Sequence, residues 1–270
     1  MSDTERMSEL VRIWWQAIDD FTTLLETVPA DEWATPTDLP GWDVHAVAAH
    51  TAHLEGLLAG AEHDDVEIGD VPHARGMMGR FTEQGVVARR GLEPDEVINQ
   101  IREAATARHT RLLAAPPSDP DVAAPGLFGV IGWTTLRLLR NRPLDVWMHD
   151  QDVRRAVGRP GGMDTDAAAH AASYLAESLP VVVAKRAAAP EGTTVTLDVA
   201  GHDPVAVAVG GDGRGALVDP PASPTVTLRT DRESFVLLAG GRRPEAAERV
   251  EVAGDTDLGS RILQAMAVTP

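Results

Sequence analysis

The chain has 270 residues, no cysteine and a formal charge of −17 at pH 7. This length suits one large domain or two ordinary ones with a real core. The negative field argues against nucleic acid or a membrane surface as partner, because both select clustered positive charge, and the missing cysteine excludes disulfides, thiolate metal sites and a protein thiol nucleophile.

The first residues, Met1-Ser-Asp-Thr-Glu-Arg-Met7, lack a basic stretch followed by an apolar run. No later segment is expected to span a bilayer, so the expected location is cytoplasmic. From Met7 to Val28, the residues Leu10, Trp14, Ile18, Phe21 and Leu25 recur at helical spacing, which predicts an amphipathic helix with one buried face. A proline-punctuated connection follows to Gly41, and Asp43 is the predicted N-cap of a second helix over 44–60. An acidic turn over 63–71 precedes a helix over 75–90, and Pro94 suits the first turn of another that runs to about Ala115. Residues 116–125 read as a loop. Residues 132–140 and 143–157 are predicted helical, either as one helix kinked at Pro143 or as two pieces, because proline removes an interior hydrogen bond.

An alanine-rich helix is expected over 164–188, after which the pattern changes. Thr193 to Val199 and Val205 to Val209 alternate around Gly201-His-Asp-Pro204 and favour β-branched residues, a hairpin pattern. A third strand is predicted over 225–229, a short helix over 232–239, a fourth strand over 250–252 and a closing helix over 258–267. The expected fold class is α+β in two domains: a helical bundle over 1–162, a connecting helix over 163–188 and a small α+β domain over 189–270.

Three residues carry the chemistry. On the second helix His50 shares a face with Val47 and Leu54, so it points inward; alone, it reads as a buried histidine satisfied by a carbonyl. Asp145 and His149 sit four apart in Pro143-Leu-Asp-Val-Trp-Met-His-Asp-Gln-Asp152, and on a helix such a pair can close on one ion while a neighbouring helix supplies a third ligand. The same pair also fits a solvated face or an internal network with arginines. Asp152 has two possible roles, replacing Asp145 as ligand or orienting His149 from behind.

Leu39-Pro-Gly-Trp-Asp-Val-His-Ala-Val-Ala-Ala-His50, followed by Asp145-Val-Trp-Met-His-Asp-Gln-Asp-Val-Arg-Arg-Ala-Val-Gly158, resembles the mycothiol-dependent maleylpyruvate isomerase family. The resemblance covers most of the chain. It implies a DinB-like four-helix bundle followed by a sterol-carrier-like domain, and a divalent metal, zinc by preference, on His50, Asp145 and His149. The usual family residue at the acidic position is Glu, so Asp145 shortens the reach by one methylene. The resemblance further implies an enzyme that activates mycothiol or a similar small thiol as a metal-bound thiolate, for S-transfer to a small electrophile or its isomerisation. Arg80 is the first candidate for a catalytic cation facing the developing charge, with Arg89 second. Two readings compete: a non-catalytic binder of metal and apolar ligand, and a hydrolase or lyase that uses bound water. The expected partners are the thiol and the electrophile.

Gly210-Gly-Asp-Gly-Arg-Gly215 lacks the strand–turn–helix order of a phosphate loop and is predicted to be a tight turn. Trp42, Trp133 and Trp147 suit either a pocket wall or the core. The remaining histidines are expected to be ordinary surface or core residues, and no serine has an activating neighbour.

Overall fold

The computed structural model describes residues 1–269. The chain forms two compact units, residues 1–162 and residues from Met163 onward.

The first unit is helical. Helix α1 (Asp3–Glu26) begins four residues before its apolar stripe because Ser2 and Glu5 close a capping box: the Glu5 N–H donates to Ser2 Oγ and the Ser2 N–H to Glu5 Oε2. Its inner face buries Met7, Leu10, Trp14, Ile18, Phe21 and Leu25. Helix α2 (Val44–Ala59) starts where Asp43 accepts the Ala46 N–H at 2.8 Å, and it stops at Gly60, which takes a left-handed φ of 104°. Helices α3 (Gly76–Arg89) and α4 (Pro94–Ala114) follow, the latter with its proline in the first turn. A short turn, α5 (Leu127–Val130), was not expected from the sequence. Its Phe128 packs with Leu54, Leu58, Ala124 and Leu138.

Helix α6 (Thr135–Ala156) settles the alternative at Pro143 in favour of one continuous helix. Proline forfeits one backbone hydrogen bond there. The buried neighbours Leu138, Leu139, Arg142, Leu144 and Val146 offset that loss through packing. Helix α1 packs on α4 and α6, and α2 packs on α3, α4 and α6.

The second unit is mixed. The predicted alanine-rich helix is interrupted rather than continuous: α7 (Asp166–Ala176), capped by Thr165, gives way to a short turn, α8 (Leu179–Val181), around Pro180, and a π-helical segment (Val182–Arg186) carries on to near the predicted end. The expectation that no segment could span a bilayer is corrected here. Residues 166–186 are long and apolar enough to cross one by length and composition, and half of that stretch is buried within the fold. Five strands form one sheet in the order β3-β2-β1-β4-β5. They are β1 (Thr194–Val199), β2 (Val205–Val209), β3 (Gly215–Val218), β4 (Val226–Thr230) and β5 (Glu251–Gly254). The predicted β1–β2 hairpin pairs antiparallel, with Thr196 opposite Ala206, whereas β1 and β4 run parallel, with Leu197 opposite Leu228.

Strand β3 escaped the sequence reading because most of its residues are exposed, so it shows no inward alternation. The glycine-rich stretch before it is the connecting turn, in which the Gly210 N–H donates to the Arg214 carbonyl at 2.9 Å. Helices α9 (Arg232–Ala239) and α10 (Thr256–Gln264) complete the unit, α10 starting two residues early because Asp255 caps it at the Leu258 N–H. Val195, Leu197, Leu228, Phe235, Leu258 and Ile262 form the interior.

Candidate metal centre

Helix α2 presents His50, and α6 presents Asp145 and His149 one turn apart. The two helices are packed together, so donors separated by some hundred residues face each other. His50 Nε2 lies 3.8 Å from Asp145 Oδ2, and His149 Nε2 lies 3.8 Å from Asp145 Oδ1. One ligand atom from each of the three lies within 4.8 Å of the others. An ion bonded at roughly 2.0–2.1 Å in tetrahedral geometry holds its donors roughly 3.3 Å apart, so small side-chain rotations would bring these three onto one cation.

The protonation states of His50 and Asp145 suit that task. Burial pushes His50 below the usual imidazole range, against the opposing pull of Asp145, so at neutral pH the ring keeps a free lone pair. Burial alone would raise the Asp145 carboxyl. Arg142, His149 and His50 outweigh it and hold the group well below the carboxylate range, hence ionised. A neutral imidazole and a carboxylate are the forms that bind a divalent ion.

A family model described as the mycothiol maleylpyruvate isomerase N-terminal domain matches residues 14–154, and one described as the MDMPI C-terminal domain matches residues 169–261. The chain belongs to the mycothiol-dependent maleylpyruvate isomerase family. Two uncharacterized proteins of Mycobacterium tuberculosis, from strains CDC 1551 and H37Rv, are each 25% identical to it over 155 residues. The match spans 56% of this chain and 58% of each relative. A crystal structure of the mycothiol-dependent maleylpyruvate isomerase superposes with a TM-score of 0.59 at 16% identity, covering 94% of this chain and 96% of that one. A histidine-to-alanine mutant of that isomerase gives 0.58 at 15% identity over the same shares. At such identities the likeness is one of fold.

Around the donors, this member of the isomerase family is elaborately braced. His149 Nδ1 lies 3.3 Å from Asp152 Oδ2, the other oxygen of Asp152 accepts from Arg155 at 2.6 Å, and Arg155 Nε donates to Asp38 at 2.7 Å. Of the two roles open to Asp152, the geometry favours the acceptor that orients the ring. Trp42 packs on His50 with ring centres 4.9 Å apart and lies 6.1 Å from His149. Its indole N–H donates to buried Glu83 at 2.9 Å, and Glu83 also pairs with His73 Nε2 at 3.0 Å. Gly41 sets up this arrangement: its φ is +81°, and a Cβ there would fall 2.3 Å from His73 Nδ1.

The remaining candidates distribute unevenly. Arg80 is exposed on α3 and takes no part in the donors' contacts among the described residues. Arg89 is committed elsewhere, to Asp64 at 2.6 Å and Gln100 at 2.8 Å. Trp133 packs against Phe128, and the Trp147 N–H donates to the Gly162 carbonyl at 3.0 Å. His45 is satisfied by the Leu92 carbonyl at 2.9 Å. His53 is buried and hydrogen-bonded to His63, which in turn meets Gln84.

The sequence reading missed Glu55, Arg108 and Arg142, all buried beside the centre. A signal existed. Glu55 is the one acidic residue in α2, which carries no lysine or arginine either, and a lone charge in an apolar helix demands a partner.

Proposed function

We propose that the protein is a metal-dependent enzyme that uses mycothiol or a similar small thiol to isomerise a small electrophile with a conjugated double bond, or to transfer the thiol to it. What carries this reading is the meeting of His50, Asp145 and His149 within ligand distance of one another, in a chain without cysteine. These three would hold a divalent ion, zinc by their donor chemistry, with a fourth position left for a small molecule. When bound, such an ion supplies a Lewis acid that lets a thiol lose its proton near neutral pH.

The protein's own groups then hold and shield. Asp152, 3.3 Å from His149 Nδ1, would hold the proton on that nitrogen and so leave Nε2 to face an ion beside Asp145. Trp42 forms an apolar wall beside both imidazoles. In isomerisation the thiol sulfur adds to one carbon of the double bond, the resulting single bond turns, and departure of the same thiol restores the double bond in its other geometry. In transfer the sulfur stays attached and the adjacent carbon takes up a proton, so that the thiol's S–H adds across the double bond. Arg80 is the proposed cation for the electrophile's negative charge, on the ground that α3 packs against the helix that carries His50. The partners are the two small molecules, and the proposed location is the cytoplasm.

Protein purified without chelator is expected to contain stoichiometric metal, and His50→Ala and His149→Ala to lose it together with thiol-dependent activity. Unchanged metal content in both variants would remove the site. A cobalt-substituted protein that develops no sulfur-to-cobalt band on titration with mycothiol would remove the thiol's role.

A further inference from the structure

Arg142 is completely buried between two carboxylates, one helical turn before Asp145. Its Nε and Nη2 donate to Glu55 Oε1 at 3.0 and 2.7 Å, and its Nη1 donates to Asp145 Oδ2 at 2.8 Å. Glu55 is gripped from two further sides, by the Trp14 indole N–H at 3.0 Å and by Arg108 Nη1 at 3.2 Å. The Arg108 guanidinium lies over the Trp14 ring, 4.4 Å from its centre. These residues come from α1, α2, α4 and α6, so four helices of the bundle converge on one carboxylate just behind the donor cluster.

A planar guanidinium fork locked on a fixed carboxylate has little freedom left for its remaining N–H. That N–H therefore dictates where Asp145 Oδ2 sits. We infer that Arg142 is a positioning residue that reserves Asp145 Oδ2 for itself, so that Asp145 ligates the ion through Oδ1 alone. The inference rests on the metal reading given above. Each Asp145 oxygen has one imidazole nitrogen at 3.8 Å, Oδ1 that of His149 and Oδ2 that of His50, and the positive group 2.8 Å from Oδ2 opposes a second cation at that oxygen, so the bond to the ion falls to Oδ1. One-oxygen ligation preserves the vacant fourth position that a chelating carboxylate would fill. The guanidinium also offsets the charge of the Asp145 carboxylate, which leaves a bound ion more of its Lewis acidity.

Cobalt(II) reports coordination number directly, because four-coordinate cobalt absorbs visible light several-fold more strongly than five-coordinate cobalt. The wild-type cobalt form is expected to show the intense spectrum. Arg142→Gln frees Oδ2 to chelate and is expected to weaken the visible bands several-fold. Arg142→Lys, with one ammonium to serve two carboxylates, should fall between them, and Glu55→Gln, which loosens the anchor of Arg142, should also weaken the bands, by less than Arg142→Gln. Identical spectra for wild type and Arg142→Gln at full loading overturn the inference and leave the metal reading standing. A wild-type protein that takes up no cobalt overturns the metal reading first. If Arg142→Gln does not fold, a crystal structure of zinc-loaded wild type decides: a single bonded Asp145 oxygen with Arg142 on the other supports the inference, and two bonded oxygens overturn it.

Discussion

The two units bury different things. The interior of the helical unit holds Glu55, Arg108, Arg142, Asp152 and three histidines among its apolar residues, whereas the polar residues buried in the second unit are Thr193, Thr196 and Ser234. Burying a charge is costly unless it is paired, and replacing a buried pair by apolar residues is often neutral or favourable for stability. A fold that needed only to be stable could have been built as the second unit is, from Val195, Leu197, Leu228 and Phe235. The bundle keeps its charges where they surround three candidate ligands, so the contrast locates the chemistry more sharply than any single residue does.

That contrast can be broken by substitutions that conserve shape. Glu55→Gln keeps the volume but leaves buried Arg108 without its counter-charge and Arg142 with Asp145 alone, and urea unfolding should show a loss of about 3–5 kcal/mol. Leu228→Met, equally buried in the sheet, should cost less than about 1.5 kcal/mol. Similar losses for the two would mean that both interiors are held in the same way.

Acid should separate the units next. Burial, with Arg89 adding to it, lowers His53 from 6.5 to about 3. The unfolded chain therefore takes up the proton first as pH falls. The stability contributed by neutral His53 is complete above pH 6.5 and drains away as pH drops toward 3, at no more than about 1.4 kcal/mol per pH unit for one group. Asp145 adds to the loss in the same direction below its ordinary value of 3.8. Metal-free wild type should thus lose stability on acidification below pH 6.5, and His53→Gln should flatten the upper part of that slope; an unchanged slope would exclude His53 as its source. The smallest effect belongs to the sheet surface. Arg229 is half-exposed beside Asp198 and Glu251, and Arg229→Ala should change stability by no more than about 0.5 kcal/mol in the same unfolding assay.

The amphipathic stripe of α1, the caps at Asp43 and Pro94, and the hairpin around Gly201 were all readable because each rests on a local rule of spacing or turn chemistry. Strand β3 and the break at Pro180 were not. The first has no buried face to print a pattern, and the second depends on how α8 packs against β2 and β3. At the centre, the i,i+4 relation of Asp145 and His149 was legible, and so was the inward face of His50. The Arg142–Glu55 bracket, 87 residues apart in the chain, was not.

Composition and periodicity by themselves determined that this protein has a helical half and a strand-bearing half, that it brings no thiol of its own, that one helix turns His50 inward, and that another carries Asp145 and His149 on one face. Tertiary structure decided that these three residues meet. It also decided that Asp152 stands behind His149, and that a buried arginine, anchored by a glutamate from another helix, takes one oxygen of Asp145. Local sequence encodes the direction in which a side chain leaves its helix; only the packing of one helix on another sets which groups lie within a few ångströms, and that distance governs ionisation and coordination alike.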